Sequence, residues 1–147
     1  MDTTSTEVPA ADGVTPEAIN AYVAEVWPAS MSAAGCIEVS GRHALIRTNI
    51  DPASIRPGGF VSGPTQFGMA DRALWFAVFG AVGFEAMALT SELSIRFVRP
   101  AIGDVMYARA RLESVGTRNI VGSVTIWTDD ETRPTAVCQG TYVRPKS

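Results

Sequence analysis

Between Pro64 and Val82 almost every position is apolar: Phe67, Ala70, Leu74, Ala77, Val78 and Ala81 recur at helical spacing, and Trp75, Phe76, Phe79 and Val82 fill most of the remaining surface. That pattern predicts a long helix buried nearly all round. Its start is marked by Gly63-Pro64, because a proline in the first turn leaves no N–H unsatisfied and has a φ already set for the helix. Beyond Val82 the period shortens from about 3.6 residues to about 2. Leu93, Ile95 and Phe97 alternate with Glu92, Ser94 and Arg96 up to Pro100, and Met106, Ala108, Ala110 and Leu112 alternate with Tyr107, Arg109 and Arg111. Turns at Gly116-Thr117 and Asp129 to Thr132 then lead into Ile120 to Trp127 and Thr135 to Val143. Short links between successive strands predict antiparallel neighbours.

Ahead of the long helix, Thr15-Pro16-Glu17 reads as N-cap, first helical position and first-turn acid of a flanking helix that stops before Pro28. Cys36 to Val39 and Ala44 to Thr48 read as two strands about a Ser40-Gly41-Arg42 turn, and residues 51–62, rich in Pro and Gly, read as a loop. One long apolar helix beside about six antiparallel strands predicts an α+β fold in which a curved sheet wraps around the helix. The small residues Ala108 and Ala110 would let that helix pack close.

The chain has 147 residues, the size of one domain with a real core. We expect a mobile tail over residues 1–14, which are polar and small without the basic and apolar regions of a secretory signal, followed by a single domain over 15–147. A formal charge of −3 and a pI near 5.1 give no general electrostatic reason to bind nucleic acid. The apolar run from Ala73 to Phe84 is too short to span a bilayer, so no membrane partner is expected. Cys36 and Cys138 lack metal-ligand spacing and lie in apolar segments, as buried free thiols do, which fits a reducing cytoplasm.

Asp71 is the residue that asks for a function. It falls on the Phe67/Ala70/Leu74/Val78 stripe, where an unpaired carboxylate would cost several kcal/mol or shift its titration upward. Either it pairs with Arg72, Arg56 or a strand arginine, or it is an acid at the end of a pocket. Arg72 is its neighbour in sequence and points roughly 100° away around the helix, which disfavours it. Gly58, Gly59, Gly63 and Gly68 crowd the approach, as expected where a backbone must come close to a ligand.

Three segments carry a family resemblance: Gly58 through Asp71, Thr90 through Ala101 with Gly103, and Gly140-Thr141-Tyr142. Over roughly residues 35–144 the chain resembles hotdog-fold acyl-CoA thioesterases of the phenylacetic-acid-degradation, or PaaI-like, type. Similar proteins carry His-Gly-Gly with an acid nine positions after the His; those positions here hold Ser62, Gly63, Pro64 and Asp71. The resemblance implies thioester hydrolysis with Asp71 as base or nucleophile and the Gly63 N–H as oxyanion donor. Thr90 matches a hydroxyl that orients the attacking water, and Ser62, in place of the His, would orient the thioester carbonyl or fix the turn that aims Gly63. Substrate contacts are implied for Arg56, which stands where relatives often have Asn or Gln, and for Gly59, Phe60, Pro64, Phe67 and Arg99. The partner implied is a small-molecule acyl-CoA, without metal or redox cofactor, in pockets shared between chains of a homodimer or a dimer-of-dimers tetramer. His43, the single histidine, lies far from the helix in sequence and is expected on a surface strand. Two other classes stay open: an acyl-CoA binding module without catalysis, and a structural interaction domain.

Overall fold

The computed structural model describes residues 8–30 and 34–146. Helix α1 (Pro16–Val26) begins where the Thr15-Pro16 pattern places it, with the Thr15 hydroxyl accepting from Ala18 N at 3.1 Å. It buries Ile19 and Val23. Asn20 ties it to the sheet, its side chain donating to Cys36 O at 3.0 Å and accepting from Cys36 N at 2.8 Å. Strands β1 (Gly35–Val39) and β2 (His43–Asn49) form the expected hairpin. Residues 51–62 are more ordered than a loop: after a 3₁₀ turn at Pro52–Ser54, β3 (Ile55–Arg56) and β4 (Phe60–Val61) pair with each other.

Helix α2 (Gly63–Val82) is the expected long helix, capped by Ser62 in front and by Gly83, at φ 92°, behind. Then come β5 (Leu89–Phe97), β6 (Val105–Val115), β7 (Asn119–Trp127) and β8 (Ala136–Val143). The six long strands make one antiparallel sheet in the order β1-β2-β6-β7-β8-β5. One sequence-based expectation fails here. β5 is not the neighbour of β6; it pairs with β8 at the far edge, and β2 takes the other side of β6. The link over residues 98–104 can reach roughly 23 Å when extended, whereas stepping past two strands to a third needs only about 14 Å. A seven-residue link therefore does not force adjacency.

The sheet curves around α2, and the core lies between them. Leu74 packs close against β7 and β8: a Cβ on Gly122 would lie 2.7 Å from Leu74 Cδ2, and one on Gly140 2.8 Å from Leu74 Cδ1. Only glycine fits at those two strand positions, and the fully buried Ala108, Ala110 and Ala136 extend the same low surface. Phe76 and Phe79 fill the gap toward α1, where Tyr22 meets Phe79 edge-on. Cys36 and Cys138 are free and buried; burial pushes each thiol up to about 12.

Residues 8–14, expected as part of a mobile tail, are held against the domain. Val8 O accepts from Gly41 N at 2.7 Å, Ala11 N donates to Gly80 O at 2.8 Å, and Val14 is buried in the core. The apolar residues from Val8 onward cover the β1–β2 turn and the C-terminal end of α2, which holds them against the domain. Residues 1–7 lie outside the described residues.

Candidate active site

A cleft of about 740 Å³ runs along the side of α2 that the sheet leaves uncovered, bordered by Pro64, Gly68, Met69, Asp71, Arg72 and Trp75 from the helix and by Leu89, Thr90 and Tyr142 from the sheet. Asp71 is half-buried there rather than enclosed: it sits at the cleft-side margin of its stripe, whose Ala70, Leu74 and Val78 are fully buried. Phe67, expected on the buried stripe, is 40 % exposed and borders neither this cleft nor the one described below. The rest of that stripe, Ala70, Leu74 and Val78, does face the core, together with Met69, Ala73, Phe76 and Ala77.

The partners of Asp71 are hydroxyls, not arginines. Thr90 Oγ1 donates to Oδ1 at 2.6 Å, and the Tyr142 hydroxyl lies 2.6 Å from the same oxygen and 3.0 Å from the Asp71 main-chain oxygen. Oδ2 makes no hydrogen bond among the described residues. Arg72 turns the other way, donating from Nε to Ala34 O at 2.8 Å with its guanidinium 5.2 Å above the Phe76 ring. Burial, and then the charge of Asp71, pushes the Tyr142 phenol well above the ordinary tyrosine range. It therefore stays protonated, able to orient the carboxylate as a donor.

Tyr142 is the site residue that sequence reasoning missed. It was singled out only as part of the closing strand. It faces Thr90 directly across the β5–β8 ladder, so the two side chains project from the same face. That relation is invisible until β5 is known to pair with β8.

The N-terminus of α2 opens onto a second cleft, of about 530 Å³, which gathers Arg56, Phe60, Gly63, Pro64, Gln66 and Arg99. The Gly63 N–H makes no hydrogen bond among the described residues. It stands at the positive end of the helix dipole, where backbone donors receive negative charge. Pro64 borders both clefts and offers no N–H. Arg56 lies 5.1 Å above the Phe60 ring, and Arg99 Nη1 donates to Pro134 O at 3.0 Å. Ser62 borders neither cleft. Its Oγ accepts from Thr65 N at 3.4 Å and shares a 2.9 Å bond with Thr65 Oγ1, so it serves as the helix cap. Gly58 and Gly59 also have a local reason: both have positive φ, 104° and 86°, in the β3–β4 turn closed by Gly59 N to Arg56 O. The turn, not a ligand, requires them.

His43 stands apart, half-buried on β2 against Arg109, which also holds Glu131 through two bonds of 2.6 and 3.1 Å. Among the described residues no group of three or more His, Cys, Asp or Glu is placed to hold a metal ion, and no helix is long and apolar enough to cross a membrane.

A single long helix cradled by a six-stranded antiparallel sheet of this order is a hotdog fold. The profile of the Thioesterase superfamily matches residues 58–135, more than half of the chain and the segment that holds both Gly63 and Asp71. The chain belongs to the Thioesterase superfamily. Among solved structures it is similar to a candidate thioesterase from Silicibacter sp. TM1040, with 29 % identity over 91 % of this chain and 94 % of that one and a TM-score of 0.82. It shares the fold of the E. coli PaaI protein from the phenylacetic acid degradation operon, at 19 % identity, 88 % and 93 % coverage and TM-score 0.72. It also shares the fold of a Streptococcus mutans protein bound to acetyl-CoA, at 21 % identity, 78 % and 90 % coverage and TM-score 0.69. No curated protein matches the sequence.

Proposed function

We propose that the chain hydrolyses acyl-CoA thioesters to the free acid and CoA, at a site built by two copies of itself. The observation that carries this reading is the Asp71 carboxylate, with Oδ1 fixed by the Thr90 and Tyr142 hydroxyls and Oδ2 unbonded beside a substrate-sized cleft. In the reading, Asp71 Oδ2 takes a proton from a water that attacks the thioester carbonyl carbon, with Thr90 helping to place that water. The oxyanion of the tetrahedral intermediate is held by a Gly63 N–H, the C–S bond breaks, and the thiolate leaves with a proton from Asp71. Direct attack by Asp71, through an anhydride, is the nucleophilic variant of the same site. A single turnover in ¹⁸O-labelled water tests for the anhydride, since ¹⁸O found in the Asp71 carboxylate requires a water to have opened an acyl-Asp71 anhydride at Cγ, whereas the general-base route puts the label into the acid alone.

Helix length supports a site made by two copies. Gly63 and Asp71 are eight residues apart on one helix, a rise of roughly 12 Å. A base one water away from a carbonyl carbon and a donor about 3 Å from its oxygen must converge much more closely. In this reading the donor serving one Asp71 belongs to a second copy. The edge strand β5 and its flanks support such pairing: Leu89 is 62 % and Phe97 52 % exposed, with Met87, Val98 and Ile102 also open to solvent. The fold relative bound to acetyl-CoA supports a CoA ester as the ligand.

One feature favours the binding-module reading: Pro64 has no N–H and the Ser62 hydroxyl is occupied by the cap, which leaves Gly63 as the one main-chain donor of that turn. A thiol-release assay over acyl-CoAs of graded size decides. Release that depends on Asp71 establishes hydrolysis; no release, with melting temperature raised by acyl-CoA, establishes binding alone.

A further inference from the structure

Gln66 and Thr135 are the fully buried polar residues among those described, each 3 % exposed, and they bond to each other. Thr135 Oγ1 donates to Gln66 Oε1 at 2.9 Å, and Gln66 Nε2 donates to Val61 O at 3.4 Å. The amide orientation is set by chemistry, since a main-chain oxygen only accepts. Every other residue that α2 buries is apolar or glycine. A methionine or leucine at position 66 would bury as well without a polar group to satisfy, so stability alone does not call for this pair.

What the pair does is join three segments that meet at the head of α2. Gln66 belongs to the helix itself, one turn after Gly63. Val61 closes β4 two residues before Gly63, and its own N–H donates to Ala101 O at 2.9 Å. Thr135 O accepts from Val98 N at 2.8 Å and Arg99 N at 3.3 Å, which fixes the segment carrying Arg99. Both sides of the turn that presents the Gly63 N–H are thus tied to one buried amide.

We propose that Gln66 and Thr135 are a positioning pair that aims the Gly63 N–H at the substrate carbonyl. The proposal rests on the reading of Gly63 as the oxyanion donor. Gln66 borders the cleft onto which Gly63 opens but is 3 % exposed with its amide bonded inward, so in the proposal the pair acts through the Val61-Ser62-Gly63 main chain. An N–H displaced by about 1 Å from an oxyanion loses most of its effect on the transition state while the bound thioester is little affected. The signature is a fall in kcat without a matching rise in KM.

The experiment compares Gln66→Met, Thr135→Val and the two combined with Thr135→Ser and Asp71→Asn, using hydrolysis of an acyl-CoA that the wild type turns over. Thr135→Val strands the Gln66 carbonyl oxygen and should melt several degrees lower; Gln66→Met leaves the Thr135 hydroxyl Ile126 O as an acceptor, at 3.3 Å, and should cost less. The double variant removes both partners and should recover most of that loss, yet its kcat should stay tenfold to a hundredfold down with KM within about threefold. Thr135→Ser keeps the hydroxyl and should keep kcat within about twofold. A double variant that melts and turns over like the wild type, while Asp71→Asn is inert, overturns the positioning role and leaves the hydrolytic site standing. If the double variant does not fold, Thr135→Val against Thr135→Ser per folded molecule carries the same comparison, and equal kcat values overturn the role. Turnover unaffected by Asp71→Asn, or none in the wild type, overturns the hydrolytic reading and the pair's role with it.

Discussion

Thr90 and Tyr142 face each other across β5 and β8, and their hydroxyls reach the same oxygen of Asp71, each at 2.6 Å. Two donors from one face of the sheet hold a carboxylate that comes from the helix. Its free oxygen is thereby placed without any cationic partner among the described residues.

Asp71→Asn keeps the shape and the hydroxyl contacts but removes the base, so kcat should fall roughly a hundredfold or more with the melting temperature little changed. Tyr142→Phe should act differently. It removes a buried donor to a charged acceptor, worth about 1.5 to 3 kcal/mol, so it should lower both the melting temperature and kcat, the latter about tenfold. Steady-state kinetics beside thermal melts distinguish the two patterns. An Asp71→Asn protein with normal turnover would remove Asp71 from the chemistry.

Much of this fold is legible in the pattern of residues, and the reason differs by element. The α2 start at Ser62-Gly63-Pro64, the α1 cap at Thr15 and the β1–β2 turn follow from local chemistry, which acts within a few residues. The place of β5 in the sheet does not, because a link the length of residues 98–104 allows several strand orders. Tyr142 was hidden for the same reason, since its relation to Thr90 depends on that pairing. Asp71 was recognisable as an acid in an apolar helix, but periodicity could not tell where along the buried stripe cover ends, at Phe67 in the first turn and at the cleft beside Asp71. Phe67 was misplaced on that account. The glycines at 58 and 59 looked like a ligand approach and turned out to be a tight turn.

Ser62 caps α2, and that sets the expected result of Ser62→Ala. Losing an N-cap side chain costs about 0.5 to 2 kcal/mol, read as a melting temperature lower by a few degrees. Activity per folded molecule should fall only as far as the turn that presents Gly63 loosens. A variant with unchanged stability and a hundredfold lower kcat would place the hydroxyl on the substrate instead.

His43 supplies a pH dependence. Burial, and then the charge of Arg109, draws its titration below the ordinary histidine value, against the weaker opposing pull of Glu38; Arg111 lowers it further and Glu131 raises it. A histidine with a depressed folded value binds its proton more readily when unfolded, so stability is full above the ordinary value near 6.5 and declines as pH falls below it. Urea midpoints measured from pH 7.5 down to 5 should therefore drop more for the wild type than for His43→Gln. Parallel curves would show that His43 contributes no such linkage.

The central claim is that each site takes its base from one chain and its oxyanion donor from the other, and mixed dimers test it most directly. Asp71→Asn removes the base, and Gly63→Pro removes the N–H at a helix position that tolerates proline. Each homodimer should be inactive. Dimers that carry one copy of each variant, isolated by two different tags, hold one site with both defects and one with neither. The account predicts about half of the wild-type kcat for these mixed dimers, with KM unchanged. If base and donor instead come from the same chain, both sites carry a defect and the mixed dimers stay as inactive as their parents, which would contradict the shared site outright.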